Sequence, residues 1–244
     1  MDQLINQAID LIKNAKRISA FTGAGISVES GIPAFRGSNG LWDKYDPKVL
    51  DINYFYNAPR ESWIAIKEIF YDFFGEAEPN DAHLCLAKME EMGLIKEVIT
   101  QNIDNLHQKA GSKTVYEFHG NSQQLICTKC KNIYPASEIS FNILPPLCPS
   151  CKSLLKPDFV FFGEGIPQEP YQNSVHAAEH SDLFIVIGTT GEVMPACYIP
   201  RLAKENGANI IEINTERSAF TDSIADIYLQ GKASDIMNEI LTHL

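Results

Sequence analysis

Apolar residues recur along this chain in two rhythms that alternate with one another. Leu4, Ile5, Ala8, Ile9, Leu11, Ile12 and Ala15 share one face of a helix. Arg17–Phe21 then forms a short apolar run that ends in Thr22-Gly23-Ala24-Gly25-Ile26-Ser27, as a strand entering a glycine loop would. The pattern repeats. An amphipathic helix over Asp81–Met92 stops at Gly93, and a strand over Lys96–Thr100 ends in Gln101-Asn102-Ile103-Asp104. A strand over Leu183–Ile187 ends in Gly188-Thr189-Thr190-Gly191, a helix spans Pro195–Asn206, and a strand over Asn209–Ile213 ends in Asn214-Thr215-Glu216. Ser234 opens a last helix. Strands joined through helices cross over in the right-handed sense, so the fold class is α/β: a Rossmann-like, doubly wound parallel sheet. Ligands of such sheets bind beyond the carboxyl ends of the strands. One loop of small or polar residues there is a turn; four together predict a site.

Two stretches interrupt the alternation. Residues 36–80 hold both tryptophans and the aromatic group Tyr54, Phe55, Tyr56, Trp63, Phe70, Tyr71, Phe73 and Phe74, and read as a cofactor loop followed by a small helical lobe with an aromatic core. Residues 121–157 carry little periodicity but four cysteines. The expected division is a Rossmann-like domain from 1–35, 81–120 and 158–244, the loop and lobe at 36–80, and an inserted zinc-binding, ribbon-like module at 121–157. Cys127-x-x-Cys130 and Cys148-x-x-Cys151 stand 17 residues apart, a spacing that lets two short turns present four thiolates to one structural zinc ion. Two disulfides or a redox pair remain the alternatives. Cys85 and Cys197 fall on predicted helices and read as core.

Charge narrows the function. Lys and Arg number 20 against 31 Asp and Glu, a net charge of −11, which disfavours nucleic acid and leaves a basic peptide open as partner. Met1–Lys16 has neither a basic head nor a long apolar core, and no stretch approaches the roughly 20 apolar residues of a membrane span. The expectation is a cytoplasmic protein with no membrane partner, whose clustered cysteines bind metal.

The glycine loop departs from the dinucleotide fingerprint, which wants a third glycine opening a helix and an acidic residue about 20 positions on. Here Gly31-Ile32-Pro33-Ala34-Phe35-Arg36-Gly37 follows instead, with small residues for backbone approach to a pyrophosphate and Arg36 for charge. A dinucleotide fits; hydride transfer is not indicated.

These residues resemble the sirtuin family, the NAD-dependent protein-lysine deacylases, over nearly the whole chain. The likeness rests on Gly23-Ala24-Gly25-Ile26-Ser27, Gly31–Gly37, Thr100–His107, His119-Gly120, the four cysteines, Pro157–Glu164 and Gly188-Thr189-Thr190. It implies that NAD and an acyl-lysine peptide bind between the Rossmann-like domain and the zinc module. The nicotinamide–ribose bond is cleaved, the acyl oxygen attacks the anomeric carbon, and free lysine and O-acyl-ADP-ribose leave. His119 is then the general base on a ribose hydroxyl, and Asn102 and Asp104 order the nicotinamide carboxamide and nearby water while Ile103 packs on the ring. Gln101 meets the ribose, Gly23, Ala24, Gly25 and Ser27 the phosphate region, and Phe35 and Arg36 cover the nicotinamide. Gly188, Thr189, Thr190, Asn214, Thr215 and Glu216, with Ala233, line the phosphate and adenosine end. Val160, Phe161, Phe162 and Gly163 pair with the substrate backbone as an added strand.

Read coldly, a lone histidine at a strand end is most often structural, and His83, His107, His176, His180 and His243 stay so, with His107 a possible brace of the Asn-Ile-Asp loop. Family members that prefer succinyl or malonyl lysine carry a Tyr and an Arg in the helical lobe. Here Trp63–Phe70 has neither, although it has Lys67, so neutral acyl groups such as acetyl are expected. Glu192 departs from the family's apolar pattern and is expected to favour basic peptides. Two rivals stay open: a protein ADP-ribosyltransferase using the same bond cleavage, and a non-enzymatic, zinc-stabilised peptide reader.

Overall fold

The computed structural model describes residues 2–35, 40–73 and 77–244. The chain opens with α1 (Asp2–Asn14) and β1 (Ile18–Thr22), then enters the lobe through α2 (Leu41–Lys44), α3 (Ile52–Asn57) and α4 (Pro59–Ile66), which continues as a π-helical turn over Lys67–Phe73. It returns through α5 (Asp81–Glu91), β2 (Ile95–Thr100), α6 (Leu106–Ala110) and β3 (Val115–Glu117). A second sheet follows, from β4 (Gly120–Cys127), β5 (Ile133–Pro135) and β6 (Leu155–Phe159). The last part runs α7 (Gln168–His180), β7 (Leu183–Ile187), α8 (Tyr198–Glu205), β8 (Asn209–Asn214), β9 (Ile227–Gln230) and α9 (Ala233–Thr242).

Six strands make one parallel sheet in the order β3-β2-β1-β7-β8-β9. Counting only these strands, that is the 3-2-1-4-5-6 order of a Rossmann fold, with its reversal between β1 and β7. Every residue of β7 is buried, with Leu183, Ile185 and Ile187 facing one layer and Phe184 and Val186 the other. The first layer holds α1, α5 and α9 with an almost wholly aliphatic core. The second holds α7 and α8 against Phe21, Phe118, Phe184 and Phe220. A run of apolar residues buried on both faces is what a parallel strand needs, because each neighbour lacks a solvated side.

The predicted strands and helices are all present, with small shifts. The helix expected at Pro195 begins at Tyr198, because residues 194–197 form turns in which the Pro195 carbonyl accepts the Tyr198 amide at 3.0 Å. Four elements were not foreseen: α6, β3, β9 and α7. The cysteine region, expected to be irregular, is bounded by the antiparallel strands β4 and β6, with β5 on the other edge of β4. A third core joins this sheet to the lobe. Trp63, fully buried, donates its indole N–H to the Leu155 carbonyl at 2.9 Å, so α4 is tied directly to β6.

Candidate active site

Where the strand order reverses, β1 and β7 end against each other with almost no side chains between them. Gly25 N–H donates to the Gly188 carbonyl at 2.8 Å, and Gly23 N–H to the Ile187 carbonyl at 3.0 Å. A Cβ on Gly25 would lie 2.6 Å from the Gly188 Cα, so backbone packs on backbone here and only glycine fits. This junction forms the floor of a cavity of about 610 Å³. Gly23, Ala24, Gly25, Gly188, Thr189, Thr190, Asn214, Thr215, Glu216 and Ala233 line one end. Gln101, Asn102, Ile103, Phe35 and His119 line the middle, and Val160, Phe161, Phe162 and Gly163 the other end. Arg36 and Gly37 lie outside the described residues, as do Phe74 and the side chain of Phe73.

Ser27 and Asp104 do not line the cavity; they stand behind it. Ser27 Oγ donates to Asp104 Oδ2 at 2.7 Å and accepts from Asn102 Nδ2 at 3.1 Å, while Asn102 Nδ2 also reaches the Gly23 carbonyl at 3.2 Å. Burial raises the Asp104 pKa, opposed by the Ser27 hydroxyl and by the Leu106 amide, which donates to Oδ1 at 3.0 Å. This network binds the glycine loop to the Asn-Ile-Asp loop and sets the direction of the Asn102 amide. Gln101 Nε2 donates to Thr189 Oγ1 at 3.1 Å, and Asn214 Nδ2 donates to the Thr189 carbonyl at 3.0 Å, so the carboxyl ends of β2, β7 and β8 are cross-linked around the cavity.

His119 sits between β3 and β4. Its Nδ1 lies 3.0 Å from the Gln101 carbonyl and, facing an acceptor, carries the proton; Nε2 is left with its lone pair. Burial lowers its pKa below the ordinary imidazole value, opposed by that hydrogen bond. The ring is therefore neutral at neutral pH. Gly120 explains why a glycine follows it: at φ +73°, a Cβ would lie 2.2 Å from the Asp158 carbonyl where β4 passes β6.

One reading changes. His107 does not bond to Asn102 or Asp104; its Nε2 meets Thr22 Oγ1 at 2.9 Å, which ties α6 to β1. His83, read as structural, is fully buried outside the cavity lining, with Nε2 3.5 Å from Ser27 Oγ and its ring edge-on to His107 at 4.9 Å. Trp42, Leu50 and Phe70 also line the cavity. Phe70 was legible only as lobe core, because an aromatic that packs and an aromatic that faces a ligand look alike in a sequence, and Trp42 and Leu50 carried no signal of their own. Lys232 and Glu29 line the opposite end without a sequence signal. Glu192 is exposed and does not itself line the cavity, next to Val193, which does.

The four cysteines of the small sheet bring their Sγ atoms within 4.8 Å of one another, with Cys127–Cys151 at 3.4 Å and Cys130–Cys148 at 3.7 Å. A tetrahedron with bonds of 2.3 Å has edges of about 3.8 Å, so the set fits one zinc ion. All six cysteines are free thiols, which sets the disulfide alternative aside. Among the described residues, no helix is long and apolar enough to cross a membrane.

Comparison with known proteins agrees with this geometry. The Sir2 family profile matches residues 23–195. The NAD-dependent protein deacylase 2 of Pyrobaculum aerophilum is 44% identical over 240 residues, covering 95% of this chain and 92% of that protein. The NAD-dependent protein deacylase of Thermococcus sibiricus is 43% identical, covering 98% and 95%. A solved structure of Sir2 with a p53 peptide and NAD+ superimposes with a TM-score of 0.90 at 36% identity over 98% of each chain. Another, a Sir2 variant with a deacetylated p53 peptide and 3′-O-acetyl-ADP-ribose, does so with a TM-score of 0.92 at 37% identity, again over 98% of each chain. The chain belongs to the Sir2 family.

Proposed function

We propose that this protein is an NAD-dependent protein-lysine deacylase acting on neutral acyl groups, acetyl first, and releasing nicotinamide and O-acyl-ADP-ribose. One observation carries the reading: the His119 imidazole, its Nδ1 held 3.0 Å from the Gln101 carbonyl, lines a single cavity together with the glycine loop and the Val160–Gly163 segment. Bound NAD supplies an N-glycosidic bond whose cleavage leaves an electrophilic sugar carbon. The glycine junction, Thr189, Thr190 and Asn214 hold the phosphate and adenosine end, and Gln101 the ribose. Asn102, steadied by Ser27 and Asp104, orients the carboxamide, and Ile103 and Phe35 exclude water. His119 accepts the hydroxyl proton at Nε2, while the Gln101 carbonyl stabilises the charge that develops on the ring. Val160–Gly163 pairs with the peptide backbone.

The acyl end is apolar, lined by Leu50, Phe70, Phe159 and Phe161. Lys67, the one cation in Trp63–Phe70, reaches both Asp72 carboxylate oxygens at 2.6 Å, so it is already paired. An acyl carboxylate there would lose its water without gaining a partner, at a cost of several kcal/mol or about that order. The four cysteines hold a structural zinc ion. The separate strand sets of the two sheets support a division into a Rossmann-like domain (1–35, 81–120 and 158–244), a lobe at 36–80 and a zinc module at 121–157, with β4 and β6 reaching past the module's bounds to Gly120 and Phe159. Six cysteines with no disulfide among them fit the cytoplasm.

The test is turnover with NAD on acetyl-lysine and succinyl-lysine peptides, followed by mass. Acetyl-lysine is turned over, succinyl-lysine is not, and His119→Ala reduces kcat by about 10²- to 10⁴-fold. The acid limb of the wild-type profile lies below the ordinary imidazole pKa, because turnover is lost as falling pH protonates Nε2. Label remaining on protein would favour ADP-ribosyl transfer instead, and equal turnover by both proteins would remove His119 as base.

A further inference from the structure

Lys156 is 6% exposed, in the strand that leads into the Val160–Gly163 segment. An ammonium has three protons to donate, and this one has three acceptors: Glu164 Oε2 at 2.9 Å, the Phe159 carbonyl at 2.7 Å and the Pro157 carbonyl at 3.0 Å. It also lies 4.2 Å from the centre of the Phe161 ring. Glu164 Oε2 accepts in turn from the Phe161 amide at 2.9 Å, and the Glu164 amide donates to the Phe161 carbonyl at 3.0 Å, closing a turn with Gly163 at φ +89°. From the other side, Phe162 is held by the Leu50 carbonyl at 2.8 Å and the Ile52 amide at 3.0 Å. Five of the eight backbone groups of Val160–Gly163 are spent on keeping its shape. Among the described residues, the Val160 carbonyl and both backbone groups of Gly163 have no partner in the chain.

We infer that Lys156 and Glu164 are positioning residues for the acyl-lysine peptide, their ion pair, buried at Lys156 and half-buried at Glu164, presetting the segment so that those free groups meet the substrate backbone. The inference rests on the proposed deacylase reading. A buried ion pair contributes little net stability compared with apolar residues of similar volume, so its three-point geometry is what a neutral replacement would lack. Neither side chain needs to touch the peptide to act in this way.

The double variant Lys156→Met with Glu164→Gln removes both charges together and so leaves neither one stranded. It is compared with the wild type for zinc content, thermal unfolding, equilibrium binding of a labelled acetyl-lysine peptide, and equilibrium binding of NAD. We expect unchanged zinc and folding, peptide affinity weakened about tenfold or more, and NAD affinity within about twofold. Lys156→Arg, which keeps the charge and several donors, should recover most of the peptide affinity. Peptide affinity equal to wild type, or peptide and NAD affinities falling in parallel, would overturn the inference. The readout is binding, so it stands apart from the deacylase reading, which is tested by turnover of the wild type alone.

Discussion

The six-stranded sheet and the zinc-side sheet bury their apolar residues by different means. On one flank of the large sheet, Ile and Leu from α1, α5, α9 and alternate strand positions interlock into a core of 24 buried residues. Among the described residues the core under the small sheet has 15, built on Phe55, Trp63, Phe70, Phe159 and Phe161, and it includes two of the four clustered cysteines, Cys127 and Cys148. Aliphatic layers against a fully paired sheet need nothing further to hold them. A small aromatic core beside a three-stranded sheet lacks that reserve, and a metal held by the four cysteines would, with the Trp63–Leu155 bond, make up the difference. The candidate active site lies where the two meet, so each half can be disturbed separately.

Removing zinc is the strongest way to separate them. Structural zinc in small domains contributes roughly 10 to 16 kcal/mol of apparent free energy. Chelation, or Cys148→Ser, should abolish exchange protection in β4, β5 and β6 and stop peptide turnover, while amides of β1, β2, β7 and β8 stay protected. Uniform loss across both sheets would show that the large sheet is not self-sufficient.

Acid tests the other half. Burial lowers His83 from the ordinary 6.5 to about 4, and lowers His107 in the same direction. The unfolded chain takes up protons first, so stability above pH 6.5 is full and is lost progressively as pH falls towards about 4. For His83 this amounts to about 3 kcal/mol. Denaturant unfolding between pH 7 and 4 should show that slope, and His83→Gln should flatten it. An unchanged slope in the variant would place the acid sensitivity elsewhere.

The smallest expected effect is at the junction itself. Gly25→Ala pushes a methyl group into the Gly188 backbone and should cost roughly 1 to 3 kcal/mol in thermal unfolding. NAD binding should weaken more than peptide binding, since the zinc-side end of the cavity is untouched. Equal weakening of both ligands would deny that the two ends are separable.

What could be read from the chain follows the same division. β7 was legible to the residue, because Leu183–Ile187 is uniformly apolar and bounded by polar turns. α7 was not, although it is one of the longest helices, because its buried face is Ser174, Ala177 and Ala178, and small side chains leave no hydrophobic rhythm. β3 and β9 are three and four residues long, too short to show a period. In the zinc module the cysteine spacing was plain but the strands were hidden, since β4 shifts register between Gly120 and Leu125 and so breaks its alternation. The candidate site residues were named from family motifs, whereas Trp42, Leu50 and Phe70 joined the cavity only through tertiary packing. The nearness of His83 to Ser27 is likewise tertiary, since the two stand 56 residues apart in the chain.

One hydrogen bond has a consequence for discrimination among peptides. The carbonyl of His119 accepts the Val160 amide at 2.8 Å, so the residue proposed to move a proton also anchors the segment proposed to grip the peptide. A peptide that seats badly on that segment pulls on the very backbone that aims the imidazole. Poor sequences would then dock yet react slowly, and selectivity would be expressed in speed more than in occupancy.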